Sequence, residues 1–192
     1  MKLAHAFLCG ALLCAGAHAQ DKSGYRVGDK LPQAKSPAAA QGYREISWDA
    51  LVPKNWDPSQ LMKGIDLGTL SDSDPRAMEA LDKMRKAWAE APVEPALNNT
   101  KIRIAGFLVP LDAQRGQIKE FLLVPYFGAC IHTPPPPANQ IIHAVAARPL
   151  KEVQMMSAVW VNGTLETVRS DTEFGASGYR LRAESLSPYT QK

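Results

Sequence analysis

The sequence predicts a mainly β protein: a five-stranded, antiparallel OB-like barrel with a helical N-terminal extension. Three observations carry that prediction. From Lys101 onward, apolar residues recur at every second position in five short runs, the period of strands with one buried face. Glycines inside two of those runs, Gly106 and Gly163, mark the sharp bends that close a small sheet on itself. Only one long stretch, 74–91, has helical periodicity. An open antiparallel sheet covered by that helix is the competing architecture.

The composition fits a globular chain. Of 192 residues, 45% are hydrophobic and 21% charged, and 22 basic side chains face 19 acidic ones without any long run of one sign. A nucleic-acid surface is therefore not expected.

At the N-terminus, Met1-Lys2 precedes an apolar stretch from Leu3 to Gly16, and Ala17-His18-Ala19 has the small-x-small form of a signal-peptidase site. Residues 1–19 are read as a cleaved signal peptide, which makes the protein periplasmic with Gln20 as its first mature residue. The apolar stretch is too short to span a bilayer, so no stable membrane insertion is expected. Leu8 before Cys9 and Leu13 before Cys14 argue against a lipoprotein.

Residues 20–44 are polar and small, and read as a flexible arm. Residues 45–100 form the extension that packs on the barrel. Ile46, Trp48, Leu51 and Val52, punctuated by Pro53 and Pro58, predict a short docked turn in which Trp48 and Trp56 serve as packing anchors. Asp74 followed by Pro75 opens the helix. Ala77, Met78, Leu81, Met84 and Trp88 then recur at steps of three and four, so Met78, Leu81, Met84 and Trp88 are expected to cover the barrel. Glu79 with Lys83 and Asp82 with Lys86 form acid-before-base pairs on the wet side.

The β domain, 101–189, follows. Ile102, Ile104, Gly106 and Leu108 alternate with Arg103 and Phe107; 118–124 and 140–147 are apolar runs; Val159, Val161 and Leu165 surround Asn162-Gly163, which is either a hairpin turn or a bend in one long strand. Tyr179, Leu181 and Ala183 face one way, and Arg180, Arg182 and Glu184 the other.

Removing the signal leaves one cysteine, Cys130, and two histidines, His132 and His143, within fourteen consecutive residues. In an extended segment Cys130 and His132 project to one face, and the stiff Pro134–Pro137 run directs the chain back toward His143. A thiolate with two imidazoles is a zinc ligand set that leaves a fourth position open. Copper is the alternative metal, although the nearest methionines, Met155 and Met156, belong to another segment. Two other readings stand beside this one: Cys130 as the nucleophile of a thiol hydrolase, and the proline loop as the recognition surface of a metal-free adaptor or ligand-binding module.

The run Gly128-Ala129-Cys130-Ile131-His132-Thr133-Pro134-Pro135-Pro136-Pro137-Ala138-Asn139-Gln140, with Phe107–Leu111, Glu120–Phe127 and Trp48–Pro53, resembles the signature of an uncharacterised family of bacterial exported proteins. The resemblance covers roughly 45–190. Family members are often encoded beside ABC-type permeases similar to macrolide exporters, sometimes in zinc-responsive operons. It therefore implies a periplasmic metal-binding accessory of an envelope ABC transport system, with transporter components as partners, and no catalytic residues to transfer.

Overall fold

The computed structural model describes residues 24–32, 42–63, 71, 74–112, 117–131, 133, 135–151 and 153–189. The expected signal segment, 1–19, lies outside them, as does His132. The strands are β1 (Arg44–Glu45), β2 (Thr100–Pro110), β3 (Gln117–Val124), β4 (Ile142–Lys151), β5 (Ala158–Glu166), β6 (Ser170–Thr172), β7 (Gly175–Ser177) and β8 (Tyr179–Pro188). One α-helix, α1, spans Pro75–Ala89. No described helix is long and apolar enough to cross a membrane.

Strands β2, β3, β4, β8 and β5 form a ring in that order, and β5 closes it by pairing with β2 along Thr100–Phe107. The barrel is the expected OB-like one, but its pairing is mixed rather than antiparallel: β4 and β8 run parallel, with Ile142 opposite Tyr179 and Ala146 opposite Ala183. The reason is parity. Strand direction cannot alternate all the way round a ring of five, so at least one neighbouring pair must be parallel.

Period-two patterning fills the interior. Ile102, Ile104, Phe121, Leu123, Ile142, Val161, Leu165, Tyr179 and Leu181 are all fully buried in one cluster, as expected of inward positions in a barrel this small. Both marked glycines are places of close approach. A Cβ on Gly163 would lie 2.2 Å from the Arg182 carbonyl oxygen, at the register shift between β5 and β8, so Asn162-Gly163 is a bend within one strand. A Cβ on Gly106 would meet Leu123 and the Trp48 ring. Trp48 is an anchor: its indole nitrogen donates to the Ala105 carbonyl at 2.7 Å.

Tyr179 fastens the extension to the barrel. Its hydroxyl donates to the Leu51 carbonyl and accepts from the Glu94 amide, each at 2.6 Å.

The continuous apolar runs at the ends of β2 and β3 are explained by a second cluster on the barrel's outer surface. Phe107, Val109, Leu122 and Val124 point outward and are covered by Phe127, Ala129, Ile141 and Met156. Part of the stretch expected as a flexible arm belongs to this cover. Tyr25 packs edge-on to Phe107 and stacks with Phe127, while the Gly28 amide donates to the Phe127 carbonyl and the Phe127 amide to that of Asp29. An aromatic ring outweighs the polar composition around it.

Helix α1 starts as expected, with the Asp74 carboxylate accepting from the Arg76 amide at 2.9 Å. The Glu79–Lys83 pair forms at 2.7 Å, whereas Asp82 pairs with Arg85 rather than Lys86. The expected packing face is corrected. Met78 is 57% exposed and Leu81 39%, and the covered stripe is instead Ala77, Ala80, Met84, Ala87 and Trp88. The helix lies against the Pro58–Met62 turn and β7 rather than on the barrel wall. Small side chains permit the close approach, which displaces the large ones to the rim.

Candidate functional site

His143 lies on the outward face of β4, directly between Leu122 of β3 and Arg180 of β8. It is 8% exposed. Its Nε2 is 3.0 Å from Oε2 of Glu120, which shares the outward face of β3 with Leu122. Its Nδ1 is buried and has no hydrogen-bond partner among the described residues. A carboxylate on Nε2 fixes the ring and leaves the Nδ1 lone pair as the available donor, the arrangement in which a metal-bound histidine is held by an outer carboxylate.

Beside it, Arg180 reaches the Ser170 hydroxyl of β6 with Nη2 at 3.4 Å, and its Nε is also buried without a partner. Its in-register neighbour across β5, Glu166, is instead paired with Arg182 at 3.2 Å.

Cys130 lies in the loop after β3 and packs against the outer cluster that contains Leu122. The premise that Cys130 and His132 share an extended segment does not hold. Cys130 has φ of 65°, in the left-handed region, and follows Gly128 at 83°; the Ile131 amide and Thr133 hydroxyl both donate to the Gly128 carbonyl at 3.3 Å. Glycine and two donors to one carbonyl make a turn here. Burial pushes the Cys130 thiol up to about 11. Among the described residues no three His, Cys, Asp or Glu side chains are grouped closely enough to hold a metal. Met156 comes back to this loop despite its distance in sequence, its Sδ accepting from the Gly128 amide at 3.3 Å.

The proline run leads into a short turn, Ala138–Gln140, that clamps the loop to the extension. Asn139, fully buried, donates to the Pro92 carbonyl, and Gln140 donates to that of Trp48, both at 2.9 Å. Pro135 and Pro136 form one wall of a largely apolar cleft of about 350 Å³, with Leu81, Met84 and Trp88 opposite.

Sequence reasoning missed Glu120 and Ser170 and took Arg180 as a wet-face residue. Glu120 did carry a signal, as the acidic residue inside the apolar run of β3, but its contact with His143 depends on strand register.

A family model for proteins of unknown function, DUF3299, matches residues 48–188. A crystal structure of a DUF3299 family protein from Pseudomonas aeruginosa PAO1 is 32% identical over 79% of this chain and 99% of that one, with a TM-score of 0.61. A candidate aspartyl-tRNA synthetase from Leishmania major Friedlin is 13% identical over 85% of this chain and 24% of that one, with a TM-score of 0.38. A small single-stranded DNA-binding protein from Streptomyces coelicolor is 14% identical over 48% and 95%, with a TM-score of 0.30. The last two are too distant to carry an argument. No curated protein matches the chain.

Proposed function

Because this chain belongs to the DUF3299 family, whose function is unknown, we propose a function from its own outer-face chemistry: it is a periplasmic zinc-binding accessory of an envelope ABC transport system. Cys130, His132 and His143 are its metal ligands. The supporting observation is the state of His143, with one ring nitrogen held by Glu120 and the other buried and unpartnered. A buried nitrogen without a partner is costly, and a metal ion removes that cost while a carboxylate on the opposite nitrogen raises ligand basicity. Cys130 packs in the same outer layer, and zinc displaces the proton that burial otherwise retains on its thiol. That retained proton weighs against the hydrolase reading, since the thiolate is the nucleophile.

Export follows from the Ala17-His18-Ala19 site, and the transport role from the family resemblance. Metal analysis of untagged protein, with zinc titrations of the parent and of Cys130→Ser, His132→Ala and His143→Ala, tests the ligand set. The parent should bind one zinc and each variant should bind it more weakly; equal binding by all four proteins would overturn the reading. Intact mass of periplasmic material should correspond to a chain starting at Gln20, and a mass retaining residues 1–19 would refute the export assignment.

The metal-free adaptor reading is favoured by a different observation, the apolar cleft between α1 and Pro135-Pro136, where Leu81 is left exposed. Leu81→Asp should then abolish partner capture, and Cys130→Ser should leave it unchanged. Capture equal to that of the parent would remove the cleft from consideration.

A further inference from the structure

One seam of the barrel is closed at one end only. The parallel pairing of β4 with β8 stops at Ala146 opposite Ala183, while β4 runs on to Lys151 and β8 to Pro188. On its other side β4 also leaves β3: the register jumps from Val145 opposite Glu120 to Leu150 opposite Ile118, so residues 146–149 bulge out of the ladder. Between the two strands lies a cleft of about 450 Å³ that starts at Ala146 and Ala183. Leu150 and Leu186 line it, together with Phe121, a fully buried residue of the barrel interior.

Backbone direction identifies what fits there. The Tyr189 amide donates to the Ala158 carbonyl at 2.9 Å. In the same register Ser187 lies opposite Trp160 and Ser185 opposite Asn162, so antiparallel alternation turns their peptide groups toward β5 and turns the amide and carbonyl of Leu186 toward the cleft. No described strand pairs with Leu186 on that side. An extended peptide laid along β8 uses both groups, the mode in which a peptide adds to an exposed sheet edge. The edge is short, because Pro188 has no N–H to offer.

Shape and charge then decide which end of a peptide enters. A strand in the cleft cannot continue past Ala146 and Ala183, where β4 and β8 pair with each other, so the occupant has to terminate there. Arg148 lines the cleft next to that closed end; it is exposed and has no ion pair or hydrogen bond among the described residues. The acid on the opposite strand, Glu184, is already held, accepting from the Tyr43 hydroxyl at 2.6 Å and the Thr164 hydroxyl at 3.3 Å. The unanswered charge is therefore positive, and the chain end that complements it is a carboxylate, which a guanidinium can hold through two parallel hydrogen bonds.

We propose that the cleft between β4 and β8 binds the extended C-terminal tail of a partner polypeptide, antiparallel to β8, with its carboxylate on Arg148 and an apolar last side chain against Phe121, Leu150 and Leu186. The inference goes beyond the zinc reading and uses none of its ligands, and it concerns a different surface from the cleft beside α1.

The test uses the full mature protein and a pentapeptide of threonine and valine that ends in valine, labelled with fluorescein at its N-terminus and prepared both as the free acid and as the C-terminal amide. By fluorescence anisotropy the free acid should saturate the parent with a Kd of about 10–100 μM, and the amide should bind about tenfold more weakly. Arg148→Gln should bind acid and amide alike, and Arg148→Lys should recover part of the preference. Ala147→Trp, at an exposed position on the cleft wall, should weaken both peptides about tenfold while keeping the parent's melting temperature. Backbone pairing is read on the parent itself, where the Leu186 amide should exchange with solvent more slowly once the free acid is bound, so this measurement stands even if a variant does not fold. No saturation by the free acid up to about 1 mM, equal binding of acid and amide by the parent, or binding that leaves the Leu186 amide unprotected would overturn the proposal.

Discussion

Replacing Tyr179 by Phe removes a single oxygen from a fully buried ring and tests how the extension is fastened to the barrel. The hydroxyl serves two peptide groups from separate segments, donating to the Leu51 carbonyl and accepting from the Glu94 amide. Without it both groups lose their partner, and each orphaned buried group costs about 1–3 kcal/mol, so a loss of about 2–4 kcal/mol is expected after some relaxation. The ionisation of the same ring gives an independent measure. Burial pushes the phenol from 10.0 up to about 12, so the folded state favours the neutral form. That preference contributes in full below pH 10 and disappears as pH rises from 10 toward 12, about 3 kcal/mol in all. Denaturant unfolding followed by tryptophan fluorescence at pH 7 gives the first quantity. The difference between parent and variant across pH 9–12 gives the second, since other tyrosines and lysines titrate equally in both. The difference should be largest at pH 7 and should narrow above pH 10. Variant stability within about 0.5 kcal/mol of the parent at pH 7, or a difference unchanged up to pH 12, would refute the reasoning.

Leu81→Ala should cost less than about 1 kcal/mol because the side chain is 39% exposed, whereas Leu123→Ala in the barrel interior should cost about 2–5 kcal/mol; paired denaturant melts check both. Gly163→Ala should destabilise by about 2–4 kcal/mol, because the added Cβ meets a backbone oxygen that cannot swing aside, and a melting temperature equal to the parent's would contradict the close approach. Glu120→Gln, which keeps the shape but weakens the hold on His143, should lower zinc affinity about 10–100-fold without altering the circular dichroism spectrum.

The interior of the barrel was legible because alternation has one solution: in β2, β5 and β8 the residues at every second position face inward, and the glycine within β5 could only be a bend or a turn. The start of α1 was equally plain, since Asp74 and Pro75 act through local geometry. What the sequence did not reveal depends on choices made between distant segments. Hydropathy ranks Met78 and Leu81 above Ala80, yet the helix approaches through its alanines, because a contact distance selects small side chains and a hydropathy scale does not record distance. Tyr25 sits in a polar stretch and still docks, since one aromatic ring finds a site that no local pattern encodes. The candidate site was half visible. Cys130 and His143 stand out by rarity alone, but the Glu120 contact requires knowing which residue of β3 lies near His143. The left-handed turn at Cys130 likewise broke an argument that assumed an extended chain.

Five strands in a ring impose one parallel pair, and a parallel pair cannot be joined by a tight hairpin. The chain leaving β4 must cross the barrel and come back before β8 can begin, and here that excursion carries β5 and the small β6–β7 hairpin. Closure of the barrel thus fixes the walls of the candidate site, His143 and Arg180, while the hairpin with Ser170 and Phe174 is formed by a connection whose length closure does not dictate. Insertions or deletions in that connection can reshape the surface beside Arg180, where Ser170 sits, without opening a seam between strands. A fold of this parity therefore separates the part of the site that must stay constant for stability from the part that is free to diverge for selectivity.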